Sequence, residues 1–269
     1  NAWYWGKSDG TPKTGWLKTG GQWYWLNPDD NGRMAKGWAQ VDGKWYYLNG
    51  SGAMRSGGWM KLGKTWYYLN NSGAMAEGWK KIKGTWYYLK PESGAMATGW
   101  VHDGSHWYRM SGSGAMLTGW QKVGGKWYLL KNSGAMAEGW AKASGAWYYL
   151  MPGSGAMKTG WQKIGGSWYY LKGSGAMATK TWIGDYYVDG SGAMATNCWI
   201  GKYYVDASGK WDRSKDGGTS LADTKTVYWV DNGEVYHLTK DCVSLKRSTG
   251  IHSGTIAQSG KSRACNNCG

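Results

Sequence analysis

One phrase recurs through most of this chain. Gly-Trp opens it, a short polar stretch with a glycine turn follows, then Trp-Tyr-Tyr-Leu, Ser-Gly-Ala-Met and the next Gly-Trp. The opening tryptophan stands at Trp16, Trp38, Trp59, Trp79, Trp100, Trp120, Trp140, Trp161 and Trp182, at intervals of 20 to 22 residues. So short a unit encloses no core of its own. It buries its apolar face only against its neighbours, and a chain of such units grows as a solenoid. A second tryptophan follows seven residues after the first, as in Trp59 and Trp66 or Trp120 and Trp127. Between them lie dipeptides such as Asp42-Gly43 and Gly124-Gly125. Flanked by aromatic and β-branched residues, these are hairpin turns, because the tight turn needs positive φ. A lone hairpin is marginal in water, so stacking supplies the stability. The prediction is an all-β fold: a β-hairpin solenoid of about ten aromatic repeats of 20–21 residues, with a small hairpin-containing module after it.

Departures from the phrase set the boundaries. Trp3-Tyr4-Trp5 reads as the second half of a unit, which predicts sequence upstream of Asn1. In residues 99–119, His102, Asp103, Arg109 and Met110 replace the usual lysine, aliphatic, tyrosine and leucine, so any pocket there is expected to be altered. After Thr181 the units shrink and lose the second tryptophan; residues 180–212 read as atypical capping repeats that close a repeat region spanning 1–212. Residues 213–226 have linker composition, and 227–269 form a different, small Cys/His module.

Tryptophan (23) and tyrosine (20) are abundant while phenylalanine is absent. Rings with a polar edge suit surfaces that are half wet, as at binding sites. Along a strand successive side chains alternate faces, so the first Tyr of Trp-Tyr-Tyr points away from its two neighbours and each hairpin carries aromatics on both faces. One face lines the interior; the other meets a neighbouring repeat or a ligand. The recurrent loop methionine suits either packing or pocket lining. The net charge of +15 suits an acidic partner, whether nucleic acid, an anionic surface or a phosphate-bearing polymer, and equally serves solubility. No run of eighteen apolar residues spans a membrane.

The pattern GWxKxxGxWYYLxxSGAMATGW, as in Gly160-Trp161-Gln162-Lys163-Ile164-Gly165-Gly166-Ser167-Trp168-Tyr169-Tyr170-Leu171, closely resembles the choline-binding, or cell-wall-binding, repeats of secreted bacterial surface proteins. The resemblance covers residues 1–212. It implies a left-handed hairpin solenoid, secreted, bound to the bacterial surface and attached to choline-bearing teichoic acid by aromatic cages between consecutive repeats. Related repeats in glucan-binding enzymes and clostridial-type toxins bind sugars, so a glycan-binding array stays open, as does a purely structural, self-associating rod. The implied cages take two tryptophans of one repeat and the first tyrosine of the next. They are Trp16, Trp23 and Tyr46; Trp38, Trp45 and Tyr67; Trp59, Trp66 and Tyr87; Trp79, Trp86 and Tyr108; Trp120, Trp127 and Tyr148; Trp140, Trp147 and Tyr169; and the pair Trp161 and Trp168. Met54, Met75, Met136 and Met157 serve as closing residues. A quaternary ammonium donates no hydrogen bond and is recognised by π-faces, tryptophan best, at about 0.5–2 kcal/mol per contact. Nothing resembles a known nucleic-acid module, so that partner is set aside.

In the last module, Val227-Tyr228-Trp229-Val230 and Glu234-Val235-Tyr236-His237-Leu238 flank Asp231-Asn232-Gly233, which predicts a hairpin that sends His237 outward. His237, Cys242, Cys265 and Cys268 have the residue types and rough spacing of a Cys₃His zinc site. A disulfide fits an extracellular setting as well, and Cys198 makes the cysteine count even. Both readings stay open. No Ser/His/Asp, Cys/His or paired-carboxylate set with supporting context exists, so the chain reads as a non-catalytic binding module, with a hydrolase expected upstream.

Overall fold

The structure is a computed structural model describing residues 3–215, 226–246, 248–261, 264–265 and 267. The chain divides into two compact units, residues 1–139 with 150–157, and residues 140–149 with 158–269. The fold is all-β, a solenoid of antiparallel hairpins, as the periodicity predicts.

In the first unit the hairpins pair Gly15–Thr19 with Gln22–Asn27, Gly37–Val41 with Lys44–Leu48, and Gly58–Leu62 with Thr65–Leu69. They continue with Gly78–Ile82 and Thr85–Leu89, Gly99–His102 and Trp107–Met110, and Gly119–Val123 and Lys126–Leu130. In the second, Trp140–Tyr149 form a hairpin, followed by Gly160–Ile164 with Ser167–Leu171, Thr181–Ile183 with Tyr186–Val188, and Cys198–Ile200 with Tyr203–Val205. The turns are those the dipeptides specify: Asp42 and Gly43 have φ of 48° and 73°, Gly124 and Gly125 have 55° and 79°, the pair of positive values that matches strand twist.

The Trp59 repeat shows how register sorts the side chains. Trp59 lies opposite Tyr68 and Lys61 opposite Trp66, while Met60 lies opposite Tyr67. The first four therefore share one face, and Met60, Tyr67 and Leu69 share the other. The residue ending each second strand is sealed: Leu48, Leu89, Leu150, Leu171, Val188 and Val205 have no exposed surface, and Leu69, Met110 and Leu130 have at most 2%. Each repeat thus contributes one fully enclosed apolar side chain, with residues such as Ala76, Ala97 and Ala178 buried beside these.

The Ser-Gly-Ala-Met loop then stitches repeats together. The Met75 N–H donates to the Trp45 carbonyl of the preceding repeat at 2.8 Å, while Ala76 N–H donates to Tyr68 O of its own repeat at 2.8 Å. Gly73, at φ 87°, leaves the space into which the Met54 thioether packs; a Cβ there would collide with it.

The final module departs from expectation. Tyr228 and His237 exchange both backbone hydrogen bonds, at 2.9 and 2.8 Å, and the Val230–Gly233 turn closes, but the second arm is a single bridge rather than a strand. Val227–Trp229 pairs instead with His252–Gly254. His237 is buried, not sent outward, because Tyr236 is paired on its other edge by Ala264 in a parallel bridge, and Cys265 N–H donates to Tyr236 O at 2.8 Å. Of the expected linker, residues 213–215 form a 3₁₀ turn, and 216–225 lie outside the described residues. Among the described residues no helix is long and apolar enough to cross a membrane.

Candidate ligand boxes at the repeat junctions

The Trp59 junction is representative. Trp59 and Trp66 stand with ring centroids 6.3 Å apart at 87°, held as diagonal neighbours on one hairpin face. Tyr87 of the next hairpin meets Trp59 at 4.9 Å and 69°, and Tyr68 backs Trp59 at 5.3 Å. Met96 is fixed beside them because its N–H donates to Trp66 O at 2.8 Å. With Gly112 and Ser113 they line a cavity of about 290 Å³. Trp66 keeps 39% of its surface exposed, and Trp23, Trp86, Trp107, Trp127, Trp147 and Trp168 keep 39–44%.

Members of the expected trios meet at successive junctions. Trp16 meets Trp23 at 6.3 Å and Tyr46 at 4.9 Å; Trp38 meets Tyr67 at 5.0 Å; Trp79 meets Trp86 at 6.3 Å and Tyr108 at 4.6 Å; and Trp140 meets Tyr169 at 4.9 Å. Met54, Met75 and Met157 bond the carbonyls of Trp23, Trp45 and Trp127, and Met136 bonds that of Trp107. Trp120 and Trp127 meet edge to face at 6.4 Å and 88°, while Tyr148 belongs to the second compact unit.

Sequence reasoning missed several members. Trp100, Trp107 and Tyr128 form a cavity of about 280 Å³ with Met136, despite the altered repeat. Trp161 and Trp168 are completed by Tyr186, at 5.6 Å from Trp161, and by Met194 in a cavity of about 350 Å³. Tyr186 was legible as the first tyrosine of Tyr-Tyr-Val. Met96, Met116, Met177 and Met194 take the same place as the methionines named above. At the start, Trp3, Tyr24 and Met34 line a cavity of about 430 Å³, with Met34 N–H donating to Trp3 O.

Models of the choline-binding repeat match residues 13–59, 56–100, 78–118, 117–159 and 177–211, and a putative cell wall binding repeat matches 159–177. The chain belongs to the choline-binding repeat family. Among solved structures it is similar to CbpJ from Streptococcus pneumoniae TIGR4, at 31% identity and a TM-score of 0.59 over 78% of this chain and 96% of that one. Choline binding protein F from Streptococcus pneumoniae is similar at 31% identity and a TM-score of 0.56, over 78% and 95% of the two chains. The same holds for that protein's structure in the presence of a peptidoglycan analogue, a tetrasaccharide-pentapeptide. No curated protein sequence matches. The choline-binding repeats make this chain a choline-binding, cell-wall-associated module.

Two of its choline-binding repeats carry unusual charges. Asp103 stands where other repeats place Val41, Leu62, Ile82, Val123 or Ile164. Its carboxylate accepts from Trp79 Nε1 at 3.1 Å and from the Ser105 and His106 N–H groups at 3.0 Å each. Partial burial by itself raises its pKa, but these bonds and one from Tyr108 outweigh that and bring it to about 2. Burial first, and Asp103 second, push Tyr108 upward. The substitution in one repeat thus bears on the box of the preceding junction. Arg109, in the place of a tyrosine, lays its guanidinium over Trp100 at 5.4 Å.

The last full box is rebuilt. Asp185 occupies the place of the second tryptophan, and Trp211 that of the methionine: its N–H donates to Asp185 O at 2.8 Å. Trp211 meets Trp182 at 5.9 Å and Tyr203 at 5.0 Å. The chain's own Arg213 lies over Trp211 at 4.3 Å and pairs with Asp185 at 2.6 Å.

A separate cluster lies in the final module. His237 Nδ1 is 3.3 Å from Cys242 Sγ, which is 3.9 Å from Cys265 Sγ. All three residues are buried. Desolvation holds His237 below the usual histidine range. Cys268 lies outside the described residues.

Proposed function

We propose that the junction boxes hold the trimethylammonium group of choline on teichoic acid, and so attach a secreted protein to the bacterial surface. The observation that carries this is the lining of the Trp59 box: three π-faces, a thioether and a glycine, with Ser113 its one non-aromatic polar side chain. A sugar displays hydroxyls that need paired donors and acceptors, whereas a quaternary ammonium needs only electron-rich faces and a fitting shape. The lysines near the outer tryptophans, such as Lys61 at 5.6 Å from Trp66 and Lys122 at 5.8 Å from Trp127, lie where polymer phosphates would approach. Each box is weak alone, and several on one array gain avidity through effective concentration. On this reading the chain acts by binding, without a catalytic step.

Titration of the whole chain with choline, phosphocholine and a glucan oligosaccharide, followed by tryptophan fluorescence and thermal unfolding, tests the reading. A ligand that binds only the folded state raises the melting point. Saturable stabilisation by choline is expected. Stabilisation by the glucan alone would assign the boxes to pyranose stacking, and silence from both would leave them as solenoid packing.

A further inference from the structure

The final module has little with which to hold itself together. Its described core cluster is Cys242, Leu245 and Cys265, with Tyr228, Val230, Val235 and Ile251 packed partly against it, and Val227 is buried as well. A module this small usually needs a staple. The three chemistry-bearing residues at its centre come from separate places: His237 from the bridged arm, Cys242 from the turn closed by its N–H to Thr239 O, and Cys265 from the segment paired to Tyr236.

We propose that His237, Cys242 and Cys265 bind a structural zinc ion that holds these three segments together. Their donor atoms lie within 4.8 Å of one another. Two thiolates at about 2.3 Å from a tetrahedral zinc stand about 3.8 Å apart, and an imidazole nitrogen at about 2.1 Å stands about 3.6 Å from each. The Cys242–Cys265 separation of 3.9 Å matches that arrangement and the His237–Cys242 separation of 3.3 Å comes within a few tenths of an ångström of it, while His237 and Cys265 lie within the 4.8 Å that encloses the three donors; a disulfide would bring the sulfurs to about 2.05 Å. Two sulfurs and a nitrogen favour zinc over the hard cations. Ser244 supplies an outer contact, its Oγ 3.7 Å from Cys265 Sγ. Burial of all three residues describes a closed site that staples rather than reacts. The fourth position falls to a donor beyond these three.

The whole chain, purified under reducing conditions, is expected to carry about one equivalent of zinc, and Cys242→Ser and His237→Ala to carry nearly none. Because those variants can unfold the module, the unmodified protein supplies a second reading. Chelation should lower the module's thermal transition, and cobalt(II) should restore it with the visible bands of a tetrahedral thiolate complex. Zinc-free protein with a stable module overturns the proposal. So does non-reducing peptide mapping that finds Cys242 joined to Cys265 in the protein as isolated.

Discussion

Replacing Asp103 with asparagine isolates one carboxylate whose environment is fully visible. In the folded chain its pKa is about 2, against an ordinary 3.8. The difference corresponds to ~2 kcal/mol at most, and solvent screening at a part-exposed carboxylate reduces it to about 1 kcal/mol. Because the folded value lies below the unfolded one, this stability is complete above about pH 5 and is lost as pH falls from about 4 to about 2. Thermal unfolding of wild type and Asp103→Asn should therefore differ by about 2–4 °C at pH 7, and the gap should close near pH 2. The same carboxylate accepts from the edge of Trp79 and from Tyr108, leaving the Trp79 junction more favourable to a cation by on the order of 1 kcal/mol. Choline affinity there should fall about fivefold in the variant. A gap unchanged across the whole pH range would refute the reasoning, since the bonds would then not depend on charge. Equal stability at pH 7 would refute it as directly.

Other substitutions separate packing from binding. Leu89→Ala empties a fully enclosed position and should cost about 2–5 kcal/mol, read by urea unfolding. Trp66→Ala removes a ring already 39% exposed. Its melting point without ligand should move by less than about 3 °C, while calorimetry counts one choline site fewer. Gly114→Ala places a methyl against the Met96 thioether at a φ of 82°. It should cost about 1–3 kcal/mol in thermal unfolding and weaken the Trp59 box that Met96 closes.

The hairpins were legible because their causes are local: paired glycine turns, alternating aromatics and a fixed period act within each unit. The boxes were legible in type but less so in membership, since each is shared between repeats. Trp100, Trp107 and Tyr128 were passed over because His102, Asp103 and Arg109 altered their repeat. Yet Asp103 acts on Trp79, one junction back, and the three rings of its own junction remain in place. Tyr186 was missed because its unit had lost a tryptophan, although the tyrosine register survived. The final module lacks a period altogether. Pairing of Val227–Trp229 with His252–Gly254, and of Tyr236 with Ala264, joins residues about 25 apart that carry no alternating pattern. Nothing in the local sequence marked His237 as enclosed.

The backbone seam, in which a methionine amide reaches the tryptophan carbonyl of the repeat before, uses no side-chain chemistry particular to either partner. The seam itself sets no order among the units; only the side-chain contacts across a junction, such as Met96 against Gly114, do so. On the proposed reading, the quantity that counts is joints rather than units, and recombination that drops or duplicates one phrase changes the valence by about one. Adhesion to a polymer then changes by a multiplicative factor per joint. Gene length becomes a coarse dial on how long such a molecule stays where it has landed.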